Sequence, residues 1–178
     1  NKKYIISDKL LNTKIQLLAY HKRYGEIVTK KSKRVNNTVF ENLPRSDPKW
    51  INVGRLDVNS TGLLLFTNNG DLANKLMHPS SSIIRTYNVS INSVMNESDI
   101  CKSLSGIDIG NREVGKFDKI KYKKRDNIYE VSLTTGKNRE IRRVFNALGF
   151  RVTMLHRIKY GDISLDALKP GKIRYIKS

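Results

Sequence analysis

Gly54-Arg55-Leu56-Asp57-Val58-Asn59-Ser60-Thr61-Gly62-Leu63-Leu64-Leu65-Phe66-Thr67-Asn68-Asn69-Gly70 holds two kinds of information side by side. Its second half, Gly62 to Thr67, is apolar, short, and closed by the turn residues Asn68-Asn69-Gly70, which predicts a buried strand. Upstream, Trp50 to Val53 predicts another strand leading into Gly54. The connection between them carries one arginine, Arg55, and one aspartate, Asp57. Gly54 and Gly62 flank it and permit unusual backbone angles and close approach. On these residues alone, Asp57 reads as an ordinary turn residue.

Working outward, Lys14 to Tyr20 predicts a strand, a Lys-rich turn ends at Gly25, and Glu26 to Thr29 predicts a short strand. Lys30 to Asn37 is a basic surface loop, and Thr38 to Leu43 is one helical turn stopped by Pro44. Downstream, Asp71 is placed to cap a helix to Met77, which Pro79 ends. A strand follows at Ile84–Ile91 and an amphipathic helix at Glu97–Leu104, ended by Gly106. Lys116–Lys123 and Asn127–Thr134 are spaced as a hairpin. From Lys137 to Leu148, Ile141, Val144, Phe145 and Leu148 form one helical stripe, with Asn138 as N-cap and Gly149 as the stop. Arg139, Arg142 and Arg143 fall off that stripe. Arg151–Tyr160 and Lys172–Ile176 predict the last strands. The class is α+β with a mainly antiparallel sheet.

The chain has 178 residues, enough for one large domain or two small ones, and 34 Lys+Arg against 16 Asp+Glu give a net charge of +18. A charge this large points to a polyanionic partner, and nucleic acid comes first. A membrane surface would call for a basic helix with a bulky apolar face, and none is present in the sequence pattern. Abundant Lys, Asn and Ile reflect compositional drift in part, but drift does not gather arginines into motifs. Cys101 is the sole cysteine, and His21, His78 and His156 lack ligand spacing, so no disulfide framework or metal cluster is expected. No stretch has transmembrane length and no secretory signal is visible, so a cytoplasmic protein is expected.

The opening stretch resembles the GRLDxxTSGLLLLTNDG signature of bacterial pseudouridine synthases, with Ser60-Thr61 in reversed order. Three further segments agree in order and spacing. Tyr20 to Thr29 resembles the family's first motif, with Arg23 and Tyr24 in place of the usual Pro and its neighbour. Leu76-Met77-His78-Pro79 followed by Arg85-Thr86-Tyr87 resembles the HP and K/R-x-Y segment. Thr135 to Arg143 resembles EGRNRQVRR, and Leu155 to Gly161 resembles LIRVRYG. The resemblance runs from about Lys14 to the C-terminus. It is strongest to the small-ribosomal-subunit type and its large-subunit relatives.

What the resemblance implies is a mixed, mainly antiparallel sheet with flanking helices around a central RNA-binding cleft. The implied activity is isomerisation of a uridine to pseudouridine in a structured stem-loop of ribosomal RNA. Large-subunit (23S) RNA is favoured and small-subunit RNA is the alternative. A non-catalytic RNA-binding or ribosome-assembly role is the rival, and the retention of Asp57, Tyr87 and Arg142 argues against it. A DNA-binding role lacks any helix-turn-helix or zinc-finger pattern. A nuclease would want a carboxylate cluster.

By the same resemblance Asp57 is the essential carboxylate, acting at C1′ by direct attack or through removal of the 2′ proton. Arg142 is the cation that opposes its protonation on desolvation. Tyr87 stacks on the target base. Arg55 fills the space a flipped uridine leaves, or holds a phosphate. Arg139 and Arg143 contact RNA, and Ile158 or Leu155 lines the apolar side of the base pocket. Lys22, Arg23, Lys30, Lys31, Lys33 and Arg34 form a basic run that tracks the RNA backbone. The chemistry involves no redox or phosphoryl step, so no cofactor or metal is expected. Residues 14–178 are the catalytic domain, and residues 1–13 are a remnant or linker after an S4-like RNA-binding domain, with Lys3–Leu11 as its last strand. A monomer with no membrane contact is expected.

Overall fold

The computed structural model describes residues 14–30 and 37–176. The segment Lys3–Leu11 and the basic residues Lys31, Lys33 and Arg34 lie outside them. The chain forms β1 (Leu17–Lys22), β2 (Ile51–Val53), β3 (Thr61–Thr67), α1 (Gly70–Met77), β4 (Arg85–Ile91), α2 (Glu97–Ser105) and the short pair β5 (Ile107–Asp108) and β6 (Val114–Gly115). It continues through β7 (Lys119–Lys123), β8 (Ile128–Leu133), α3 (Glu140–Ala147), β9 (Val152–Tyr160), β10 (Ile163–Ser164) and β11 (Ile173–Ile176). Nine strands make one sheet in the order β11-β1-β3-β9-β4-β8-β7, with β2 beside β3 and β10 beside β9. Every pairing is antiparallel except β3 with β9. The α+β, mixed and mainly antiparallel sheet expected from the sequence is what the chain builds.

The apolar run of β3 is continuous because both faces of that strand are covered. Leu64 and Phe66 pack with Leu18, Tyr20 and Phe145 on one side. Leu63 and Leu65 pack with Ala19, Val53 and Tyr160 on the other. All four β3 side chains are fully buried, each worth about 1.5–3 kcal/mol of transfer free energy. On α3 the predicted stripe is the buried one: Ile141, Val144 and Phe145 face the core, and Phe145 packs on Phe117 at 5.3 Å between ring centroids.

Four local expectations are corrected. Glu26–Thr29 is no strand but a single parallel bridge from Ile27 to Thr38. The reason is Glu26, whose buried carboxylate accepts from Tyr20 Oη (2.6 Å), Arg23 N (2.8 Å) and Asn42 Nδ2 (3.1 Å) and so pins an irregular path. The cap of α1 is Asn69, whose Oδ1 accepts from Leu72 N at 2.8 Å, not Asp71. Helix α3 begins at Glu140, not Lys137, and its N-cap is Arg139 with φ 50°, not Asn138. Glu140 turns its carboxylate back onto Thr135 Oγ1 (2.9 Å) and Lys137 N (3.0 Å), which holds residues 135–138 out of the helix. The β5–β6 pair is too short for any periodicity to announce it.

The two halves of the sheet meet where β3 runs beside β9, at Thr61 opposite His156 and Gly62 opposite Arg157. Gly62 has φ +102°, and a Cβ there would stand 2.7 Å from Arg157 N and closer still to Arg157 O. Both obstructions are backbone, so no rotamer change relieves them. Gly62→Ala is expected to destabilise the chain by about 3 kcal/mol or more, through overlap and backbone strain together. Urea unfolding monitored by circular dichroism checks this, and an unchanged midpoint would show that the strands do not approach so closely.

Candidate active site

The loop from Gly54 to Ser60 between β2 and β3 is held from below by a buried lysine. Lys22, at the end of β1, is fully buried, and its Nζ donates to Ser60 O (2.7 Å), Arg23 O (3.0 Å) and Val58 O (3.3 Å). Gly25 N donates to Val58 O at 2.8 Å, and Ser60 N to Asp57 O at 3.0 Å. Burial pushes the Lys22 ammonium down to about 8, against the opposing pull of the Glu26 and Asp57 carboxylates. The expectation that Lys22 tracks RNA is therefore corrected: its donors are engaged with loop carbonyls inside the protein.

Asp57 sits at the loop's outer edge, one third exposed. Its Oδ2 lies 3.4 Å from Arg139 Nη1 and 3.9 Å from Arg142 Nε. The two cations differ in kind. Arg142 is largely buried; its Nη2 donates to Asn59 O (3.0 Å) and Ser60 Oγ (3.4 Å), and its Nη1 to Val152 O (3.4 Å). Its Nε is buried with no hydrogen-bond partner among the described residues, facing the carboxylate. Arg139 is about half exposed and is aimed by its left-handed backbone at the start of α3. The sequence reading gave the pairing to Arg142; the structure gives Asp57 both.

A cleft of about 550 Å³ opens beside this loop, between the loop, the end of α1, strands β4 and β9, and the segment leading into α3. Asp57, Arg55, Tyr87 and Arg139 all line it. Tyr87 is buried on β4, and Arg55 is exposed. Of the two apolar candidates, Leu155 lines the cleft and Ile158 does not, a second correction. Thr86 pairs with Lys159 and Tyr87 with Arg157, so Ile158 is the extra residue of a β-bulge. That bulge shifts the alternation of β9 and lets Leu155, Arg157 and Tyr160 all reach the cleft. Arg143 is the third correction. It pairs with Glu113 at 2.6 Å and donates to Ile109 O (2.9 Å) and Gly110 O (2.8 Å), fastening α3 to the β5–β6 turn instead of reaching toward RNA.

Among the cleft residues that received no role in the sequence reading are Arg85, Arg157 and Tyr160. Arg85 donates to Thr134 O (2.7 Å) and Tyr160 Oη (3.1 Å) and lies over the Tyr160 ring. All three stand inside segments already quoted, and the pairing of β4 with β9 would have been needed to bring them together.

The RNA pseudouridylate synthase family model matches residues 16–147, a span that includes Asp57, Tyr87, Arg139 and Arg142. The chain belongs to this family. It is 43% identical over 154 residues to ribosomal large subunit pseudouridine synthase B of Salmonella typhi, covering 84% of this chain and 53% of that protein. It is 42% identical over 154 residues to the protein of the same name from Escherichia coli K12, with the same coverage. The chain thus spans about half the length of these curated relatives. Among solved structures, a pseudouridylate synthase crystal structure superposes with a TM-score of 0.81 at 27% identity, over 92% of this chain and 71% of that one.

The buried lysine gives the site a measurable pH signature. Burial lowers the Lys22 ammonium to about 8 in the folded chain, against 10.5 for the free side chain. Between those values the unfolded state binds more protons, so this group's contribution to stability rises with pH across that window. The difference in unfolding free energy between the parent and Lys22→Met, measured by urea titration at several pH values, should therefore grow in the parent's favour from pH 8 upward. A flat difference would mean that the ammonium is not desolvated.

Proposed function

We propose that the chain converts a uridine to pseudouridine in a stem-loop of ribosomal RNA, acting as a monomer in the bacterial cytoplasm, with large-subunit RNA as the substrate and residues 14–178 as the catalytic domain. The observation that carries this reading is Asp57: a carboxylate at the lip of a cleft, between two guanidinium groups and opposite a buried tyrosine. The reaction breaks N1–C1′, turns the base, joins C5 to C1′ and loses the C5 proton. Whether Asp57 attacks C1′ or removes the 2′ proton, the step needs an ionised carboxylate held at the sugar. Arg142 and Arg139 provide that hold.

A cleft of about 550 Å³ has room for one extruded nucleotide. Tyr87 offers its ring to the face of the base. Arg55, exposed at the mouth, is placed to fill the gap left in the helix or to hold a phosphate, and Arg139 stands beside it. Leu155 supplies the apolar wall. The relatives named for the ribosomal large subunit support that choice of RNA.

Tritium release from ribosomal RNA labelled at uridine C5 tests the reading, because making the C5–C1′ bond displaces that hydrogen. The parent should release tritium and Asp57→Asn should not, while RNA affinity stays within about 3-fold because many phosphate contacts share it. Release from small-subunit RNA alone would move the substrate, and release from neither would leave only RNA binding. The affinity itself should fall steeply with salt, by roughly 10-fold or more between 50 and 200 mM, if several phosphates are neutralised. A flat salt response in a filter-binding titration would sink the electrostatic part of the argument.

A further inference from the structure

One buried charge has no part in the steps above. Arg157 is 2% exposed on β9. Its Nε donates to Leu63 O at 2.6 Å, while its Nη2 is buried with no hydrogen-bond partner among the described residues. No carboxylate pairs with it among those residues. Its guanidinium carbon lies 5.3 Å from the ring centroid of Tyr160 and 5.9 Å from that of Tyr87. Aromatic faces soften the isolation of a cation but do not replace an anion. A buried, uncompensated charge destabilises a fold, and an apolar side chain of similar size would fill the same space without that cost. Arg157 nonetheless stands on the same side of β9 as Leu155 and shares the cleft lining with it, Asp57 and Tyr87.

The missing anion arrives with the substrate. Phosphates stay with the sugar-phosphate chain at the mouth, where Arg55 is exposed and Arg139 is half exposed. What reaches the wall beside Tyr87 is the base. Uracil is neutral on entry. When N1–C1′ breaks, the base takes both bonding electrons, and the negative charge spreads over N1, O2 and O4. The charge is consumed when C5 bonds to C1′, and the C5 proton then leaves. We propose that Arg157 is the counter-charge of the detached uracil, stabilising that anion from the cleft wall. The idea rests on the isomerisation proposed above and holds for either role of Asp57, since both release the same anion. A cation there acts more strongly on the separated state than on the neutral base, which is the condition for accelerating the step.

The test uses the leaving ability of the base. Fluorine at C5 makes the uracil anion more stable on its own, so a 5-fluorouridine target depends less on an external cation. Single-turnover consumption of the target nucleoside is followed after nuclease digestion, with uridine and with 5-fluorouridine RNA, for the parent and Arg157→Met. Melting temperature and RNA affinity are recorded for each. The variant should lose roughly 100- to 1000-fold on uridine and at least ~10-fold less than that on 5-fluorouridine, with affinity unchanged. Equal losses on both substrates would mean that Arg157 only supports the fold, and would overturn the proposal. Should Arg157→Met melt below the assay temperature, Arg157→Lys carries the same comparison. Its shorter ammonium keeps a charge but at a longer distance, so it should lose less than Arg157→Met on uridine and less again on 5-fluorouridine, whereas a purely structural defect would be equal on both. A parent that consumes neither substrate while binding RNA would bring down the isomerisation reading itself, and this inference with it.

Discussion

At Gly62 the backbones of β3 and β9 approach so closely that no side-chain atom fits between them. Among the described residues this is the single parallel strand pairing of the sheet, and it joins two antiparallel halves, β11-β1-β3 with β2, and β9-β4-β8-β7 with β10. The cleft exists because of it. Asp57 lies on the loop that enters β3, whereas Leu155, Arg157 and Tyr160 lie on β9 itself and Tyr87 on the next strand. A wider spacing at Gly62 would part the carboxylate from the β9 wall of the cleft. The glycine that the sequence marks for close approach is thus a spacer between the two sides of a site.

The cations behind the net charge of +18 divide into those that serve the fold and those that face outward. Lys22 clamps loop carbonyls, Arg143 ties α3 to the turn at Glu113, Arg85 holds Thr134 and Tyr160, and Arg174 pairs with Asp166. Each fills a need for donors where the backbone is irregular and carbonyls would otherwise be stranded. The surface field that attracts a polyanion comes from what remains. A count of Lys and Arg accordingly overstates the number of phosphate contacts, even when the class of partner it suggests is right.

The sheet strands with strong apolar patterns were legible from the sequence, as were the buried stripe of α3 and the loop holding Asp57. Lys22 was misplaced because the sequence shows a basic run and not the carbonyls beneath it; only the pairing of β1 with β3 puts Lys22 opposite Gly62 and under the loop. Ile158 was misplaced for a different reason. It came from the motif resemblance, which offered Ile158 or Leu155 and does not reveal the bulge that makes Ile158 the extra residue of β9. The start of α3 was read too early because its first turn is opened by Glu140, a residue that looks like an ordinary helix acid. Asp57, Tyr87, Arg139 and Arg142 converge across more than eighty residues of chain, and nothing in local pattern brings them together; the motif resemblance alone supplied that grouping.

The two guanidinium groups at Asp57 are unequal in a way that magnitudes make useful. An exposed ion pair such as Asp57–Arg139 contributes roughly 0–1 kcal/mol, so Arg139 can exchange the carboxylate for a phosphate at little cost. Arg142 cannot leave so easily, because its Nη groups are bound to Asn59, Ser60 and Val152 inside the protein. Removing the Asp57 charge would strand a buried guanidinium nitrogen that has no hydrogen-bond partner among the described residues, and a stranded buried charge costs several times more. The arrangement therefore holds Arg142 at the carboxylate and leaves Arg139 available to another anion. Its aim is set from behind by Glu140, which fixes the left-handed turn at Arg139, so that strain of about 1–3 kcal/mol is held in the place where a positive charge must stand.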